Sequence, residues 1–439
     1  MSRTGTDLII EGGILLSRAK GADPLENARV WIRGDRIHRI ETGSSKEPPP
    51  PGVEVIDARK GLIMPGLVNA HCHTAMTLFR GLADDLPLKK WLFEKIFPAE
   101  AKHLSPDTVY WGSLLGCLEM IASGTTTFVD GYFFQDSTIR AAQESGLRAL
   151  VAQGVIDFPA PGVPDPGDNL KVGEAFLKKW SGVSDRIFPG LFCHSPLTCS
   201  ESTLRKAAEL SAAYSAPLQI HLSETLEEVE EILKKTGRRP VHYLERLGIL
   251  RGRLIAAHAV HVSDEEIRLL AERDVKIVHV PESNMKLASG IAPIPRMMDA
   301  GLVLALGTDG CASNNNLDLF QEMDCAAKLH KVAALDPECL DAESVLHMAT
   351  LGGAELLGLE KEIGTIEVGK KADIIVVDLE SPHLTPCYSL PSTLVYSAVG
   401  ADVKDVLVDG KVLMKDRTIL TLDAAVIMER VRAIAGEIG

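Results

Sequence analysis

Leu62-Ile63-Met64-Pro65-Gly66-Leu67-Val68-Asn69-Ala70-His71-Cys72-His73 reads as a short buried strand that ends in two histidines. Side chains two residues apart on a strand point to the same face. His71 and His73 therefore face one way at the end of an apolar run, where two neutral ring nitrogens can reach a single metal ion. Alone, His-x-His is a weak signal, because two polar residues in a loop write the same pattern. Its weight comes from the rest of the chain.

Beyond this stretch, short apolar runs alternate with amphipathic ones. Strands are expected over 62–70, 126–130, 148–155, 187–193, 217–220, 254–257, 276–280 and 303–307, with helical patterns such as 202–214, 226–235 and 264–273 between them. Eight strands with intervening helices predict an α/β fold, a (β/α)₈ TIM-like barrel whose site forms at the C-terminal strand ends. A doubly wound sheet is the competing arrangement, but the chain has no Gly-x-Gly-x-x-Gly turn between a strand and a helix.

The two chain ends read differently. Alternating residues in 7–16 and 28–40, broken by Gly34-Asp35, predict a small antiparallel β unit, and the Ser/Pro-rich 42–51 a loop. Near the other end, 372–378 reads as a strand and Asp409-Gly410 as the turn of a hairpin. The expected organisation is a discontinuous β-sandwich domain from 1–61 and 370–439 around a catalytic barrel from 62–369.

Composition bounds the function. The 439 residues are 46% hydrophobic but only 5% aromatic, an aliphatic globular composition. A net charge of −14 argues against nucleic-acid or anionic-membrane partners and suits a small neutral or zwitterionic ligand. No apolar run reaches the roughly 18 residues of a membrane span, and residues 1–7 carry no signal-peptide pattern. The eight cysteines lack zinc-knuckle or redox spacing, so reduced, mostly buried thiols in the cytoplasm are expected.

Metal-capable residues recur at the predicted strand ends: His71 and His73 after the first, His194 after the fourth, His221 in the fifth, His258 in the sixth and Asp309 after the eighth. Five histidines and an aspartate on one face make a metal site the simplest reading. Together, 65–73, His221-Leu222-Ser223-Glu224, Ala257-His258 and Gly307-Thr308-Asp309-Gly310 resemble the amidohydrolase superfamily. Within it they are most similar to the methylthioadenosine/S-adenosylhomocysteine deaminases. The likeness spans nearly the whole chain.

That resemblance implies His71, His73, His221 and Asp309 as ligands of one divalent metal, Zn²⁺ first and iron second. Relatives with two metals carry a lysine after the fourth strand, where this chain has Phe192-Cys193-His194-Ser195-Pro196. It further implies Glu224 as proton shuttle, with His258 and Asp309 orienting and deprotonating a metal-activated water. Trp91 would pack on the nucleoside, Glu100 would bind the ribose diol, and His194, Glu224 and Ser313 would contact substrate. The reaction implied is hydrolytic deamination of the adenine ring of methylthioadenosine, S-adenosylhomocysteine or adenosine, giving the inosine analogue and ammonia.

Some relatives carry arginines within and after the third strand that bind the sugar and the amino-acid tail. Here Gln153 and the proline-rich 159–169 offer none, which weakens the homocysteine assignment. Most of the apolar stretch 78–92 is expected to be core, and His261, His279, Cys193 and Cys199 to be structural. A small-molecule nucleoside is the expected partner, without nucleic acid or membrane, and a homo-oligomer is compatible with the sequence. Two rivals stay open: an aminohydrolase of guanine, cytosine or a triazine, and a metal-free barrel serving as a scaffold.

Overall fold

Pro65-Gly66 divides the expected first strand in two. The computed structural model describes residues 7–43, 48–251 and 253–439, so the reading of residues 1–6 and the middle of the loop 42–51 lie outside it. Strands β1 (Leu8–Leu15), β2 (Leu25–Arg33), β3 (Arg36–Glu41), β4 (Glu54–Asp57) and β5 (Gly61–Pro65) belong to a mixed sheet. The chain then enters the barrel: β6 (Leu67–His73), β7 (Thr125–Tyr132), β8 (Arg148–Val155), β9 (Ile187–Cys193), β10 (Leu218–Leu222), β11 (Leu254–His258), β12 (Lys276–His279), β13 (Leu304–Leu306) and β14 (Asp309–Gly310). It returns to the mixed sheet with β15 (Ile374–Asp378), β16 (Val403–Val408), β17 (Lys411–Lys415) and β18 (Thr418–Ile419).

The expected single strand over 62–70 is thus corrected. Its first half, β5, pairs parallel with β1 and antiparallel with β15, and the crossover into the barrel falls at Gly66 rather than at 61/62. A side chain at Gly66 would lie 2.2 Å from atoms of Thr126. Only glycine lets the chain turn so close to the next barrel strand.

The barrel strands run parallel in chain order, β6 to β13. Closure is made by β14, the continuation of β13, which pairs with β6 in the register Asp309↔Cys72 and Gly310↔His73. The inside of the barrel is filled by Val129, Leu150, Ile255, Val278 and Ala305, as parallel strands buried on both faces require. Helices cover the outside: Glu201–Ala213, Leu226–Thr236 and Asp264–Glu272 match the expected amphipathic segments to within a residue or two. The fold is the expected α/β barrel with a β domain from both chain ends.

The mixed sheet keeps its own core, including Ile10, Ile32, Ile374 and Leu407. The β16–β17 hairpin turns at Asp409-Gly410, both with positive φ, as a two-residue turn of the right twist demands. Beneath the barrel, buried Arg148 at the start of β8 donates to buried Asp373 at 3.1 Å and to half-buried Asp409 at 2.5 Å. This pair ties the barrel floor to the mixed sheet. Among the described residues no helix is long and apolar enough to cross a membrane, and all eight cysteines are free, most of them buried.

Removing one partner of a buried ion pair strands the others in a low dielectric, at about 3–5 kcal/mol. Arg148→Ala should therefore lower the thermal midpoint by several degrees. An unchanged melting curve would show that the contact does not join the two units.

Candidate metal centre

All the strand-end residues singled out above, except His71, line one cavity of about 680 Å³ at the C-terminal ends of the barrel strands. His71 sits behind the wall, 1% exposed. The ligand-capable atoms of His71, His221, His258 and Asp309 all lie within 4.8 Å of one another. His73 joins them, because its Nε2 is 3.2 Å from Asp309 Oδ1, while that of His71 is 3.6 Å from the same oxygen and 3.2 Å from His221 Nε2.

Barrel closure brings these groups together. Asn69 accepts the Thr308 N–H at 3.1 Å and donates to Thr308 Oγ1 at 2.8 Å, clasping β6 to the last strand. A side chain at Gly307 would lie 2.8 Å from the backbone N and O of His71, so glycine is needed for the two strands to approach this closely. The backbone then departs from strand geometry: Ser223, His258 and Asp309 have φ of +50°, +72° and +60°. Left-handed backbone at non-glycine residues costs on the order of 1 kcal/mol each and tends to cluster at functional sites. Here it falls at the strand ends that carry the cluster.

The hydrogen bonds around the cluster suit a cation. His73 Nδ1 contacts the Gly131 carbonyl at 2.5 Å, which requires the proton on Nδ1. Nε2 faces the Asp309 carboxylate, which raises the His73 pKa against burial, so the contact calls for positive charge between the two atoms, either a second ring proton or a cation in its place. His258 pairs through Nδ1 with Asn284 Oδ1 at 2.9 Å, leaving Nε2 for the cavity. Asp309 Oδ2 accepts the hydroxyls of Ser283 at 2.6 Å and Ser313 at 3.0 Å, which leaves Oδ1 for the histidines. Burial pushes the His71 imidazole down to about 4 and that of His221 well below its ordinary value. Against burial, the contacts with His71 and His73 hold Asp309 well below the carboxylate range. Neutral imidazoles and an ionised carboxylate are the forms that ligate. This donor set fits a divalent cation of the zinc type.

Glu224 lies beside the cluster. Its Oε2 is 3.7 Å from His258 Nε2, Oε1 accepts the Ser289 hydroxyl at 3.2 Å, and its backbone N–H donates to Glu228 at 2.8 Å. Burial raises its carboxyl above the ordinary range, and that of Glu228 to about 7. Further along the wall, Glu100 is 2% exposed and accepts the Tyr132 hydroxyl at 2.5 Å; burial lifts it to about 7. Trp91 is buried, and its indole N–H has no protein partner. His194 bonds Thr198 Oγ1 at 3.0 Å and stands edge-on to His221, with ring centroids 5.1 Å apart. Ser313 lines the cavity with its hydroxyl engaged by Asp309 and Ser283.

His261 and His279 lie outside the cavity lining: the first bonds the Ser289 carbonyl, the second pairs with His330. Gln153 is buried in β8 and contacts the Gln135 backbone.

Sequence reading missed the residues that hold the cluster in place. Ser283 and Ser289 carry no motif. Asp130 could have been found as a strand-end carboxylate like Asp309. It is fully buried, and its Oδ1 accepts both the backbone N–H and the hydroxyl of Thr74, the residue after His73. Its Oδ2 accepts from Gln135 Nε2 at 2.5 Å.

A barrel with this strand-end cluster is the architecture of a metal-dependent hydrolase. A model of the amidohydrolase family matches residues 62–413, and the chain belongs to that family. It is 46% identical over 435 residues to the 5-methylthioadenosine/S-adenosylhomocysteine deaminase of Syntrophobacter fumaroxidans, covering 99% of both chains. It is 47% identical over 435 residues to the 5′-deoxyadenosine deaminase of Methanosarcina acetivorans, covering 98% of both. Its structure resembles that of an adenosine deaminase from Xanthomonas campestris with bound zinc, with a TM-score of 0.95, 38% identity and coverage of 99% and 98%.

Partners behind metal ligands typically contribute about 10–100-fold in metal affinity. Asp130→Asn puts an amide where the carboxylate meets only donors, so zinc affinity measured by chelator competition should fall by about that factor. Unchanged affinity would remove Asp130 from the support of the cluster.

Proposed function

We propose that the chain deaminates the adenine ring of a nucleoside by hydrolysis, with one Zn²⁺ held by His71, His73, His221 and Asp309. The observation that carries this reading is a single cavity, large enough for a nucleoside, holding at its base the histidine–aspartate cluster beside Glu224 and on its wall the buried carboxyl of Glu100. The identity to deaminases of methylthioadenosine, S-adenosylhomocysteine and 5′-deoxyadenosine along almost the full chain supports it.

Bound in such a site, Zn²⁺ lowers the pKa of water from 15.7 to about 7, so that hydroxide is available at neutral pH. The chain's own residues then manage protons and orientation. Glu224, whose buried carboxyl is raised above the ordinary range and oriented by the Ser289 hydroxyl, delivers a proton to the ring nitrogen beside C6. His258, fixed by Asn284, faces both Glu224 and the cluster and takes up the proton that water gives up. Glu224, now ionised, takes the proton of the C6 hydroxyl and His258 passes its proton to the amino group, so that C6 becomes a carbonyl, ammonia leaves and both side chains return to their starting states. Glu100 accepts hydrogen bonds from the ribose diol, Trp91 offers a ring face and a free N–H, and His194 closes the wall between Phe97 and His221.

Positioned proton transfer contributes about 10²–10⁴-fold. Glu224→Gln should keep one equivalent of zinc and lose ammonia release by about that factor. Stripping the metal should abolish turnover, and zinc should restore it. A Glu224→Gln protein as active as the parent would remove Glu224 from the mechanism, and full activity without metal would remove the metal.

A further inference from the structure

The mouth of the cavity is built from phenylalanines on separate segments. Phe93 lies in the π-helical turn Trp91–Ile96, Phe97 opens the helix Phe97–His103, and Phe158 follows β8. Phe93 stands edge-on to Phe97, with centroids 5.4 Å apart, and to Phe158 at 6.4 Å. Phe93 and Phe158 are 43% and 42% exposed. Two aromatic rings meeting in the open at a cavity rim are not explained by core packing.

Charge is arranged to match. Among the described residues, Lys89 and Lys286 are the only lysines lining the cavity, and no arginine lines it. Lys89 is taken up by Glu227 at 3.0 Å and Glu231 at 2.7 Å, and Lys286 by Asp84 at 2.5 Å and by Asn315. Asp85, Glu227 and Glu231 are also at the mouth. A carboxylate arriving there would meet apolar rings and like charge, without the planar fork that binds carboxylates best.

In an adenine nucleoside, C6 and C5′ lie at opposite ends of the molecule. From the cluster, His221, His194 and Phe97 follow one another along the wall at centroid spacings of 5.1 and 5.8 Å, so a nucleoside with C6 at the metal would extend its 5′ end toward the phenylalanines. We propose that Phe93, Phe97 and Phe158 are specificity-determining residues that select adenosines with an uncharged, apolar 5′ end, methylthio or unsubstituted methyl, against the zwitterionic homocysteine tail. This rests on the nucleoside-deaminase reading and narrows its substrate class.

The test compares kcat/KM for methylthioadenosine, 5′-deoxyadenosine, adenosine and S-adenosylhomocysteine on the zinc-loaded enzyme, by ammonia release. Methylthioadenosine and 5′-deoxyadenosine should each exceed S-adenosylhomocysteine by about tenfold or more, the scale on which an apolar pocket discriminates. Phe158→Arg, at a half-open rim position that tolerates the change, should shrink that ratio by about tenfold, with S-adenosylhomocysteine gaining. S-adenosylhomocysteine turned over as well as methylthioadenosine by the parent would overturn the inference, and so would an unchanged ratio in Phe158→Arg. Failure to deaminate any of the four would instead defeat the nucleoside reading itself.

Discussion

The site depends on how the barrel closes. Asn69 and Thr308 are 239 residues apart and exchange two hydrogen bonds across the seam between the first and last barrel strands. That seam sets the register Asp309↔Cys72, which places the carboxylate between the neighbours of Cys72, His71 and His73. Gly307 is needed because any side chain there would strike the His71 backbone. Displacing this seam by one residue would turn Asp309 to the other face of its strand. The fold and the site are therefore fixed by the same contact.

Around the seam, polar groups are spent on orientation. Asp130, Gly131, Asn284, Ser283, Ser313, Ser289 and Glu228 each hold one atom of a functional side chain or of the backbone beside it. The cluster itself combines desolvated imidazoles, a carboxylate and left-handed backbone at His258 and Asp309. Such an arrangement is unfavourable on its own and is stabilised when a cation binds, because binding to the folded form alone adds to stability. Catalytic preparation and metal affinity thus draw on one network.

Much of this was legible in the sequence. Eight strand positions, three helices and the Asp409-Gly410 turn follow from periodicity and turn chemistry. The strand-end histidines and Asp309 were visible because barrel geometry sends strand ends to one face, and Glu224 through the family resemblance. The split at Pro65-Gly66 was not, since an uninterrupted apolar run does not reveal that its two halves pair with different sheets. Nor were Ser283 and Ser289, which act through distant partners and carry no local pattern, whereas Asp130 stands at a strand end as Asp309 does and was open to the same reading. The phenylalanine rim was hidden for the same reason: Phe93 and Phe158 meet only in three dimensions.

The account turns on a cation at the barrel seam. The most direct measurement is an anomalous difference map at the zinc edge from crystals of the protein as purified. One peak at ligand distance from His71, His73, His221 and Asp309 is the predicted result. No peak there, or a peak ligated by other residues, would contradict it.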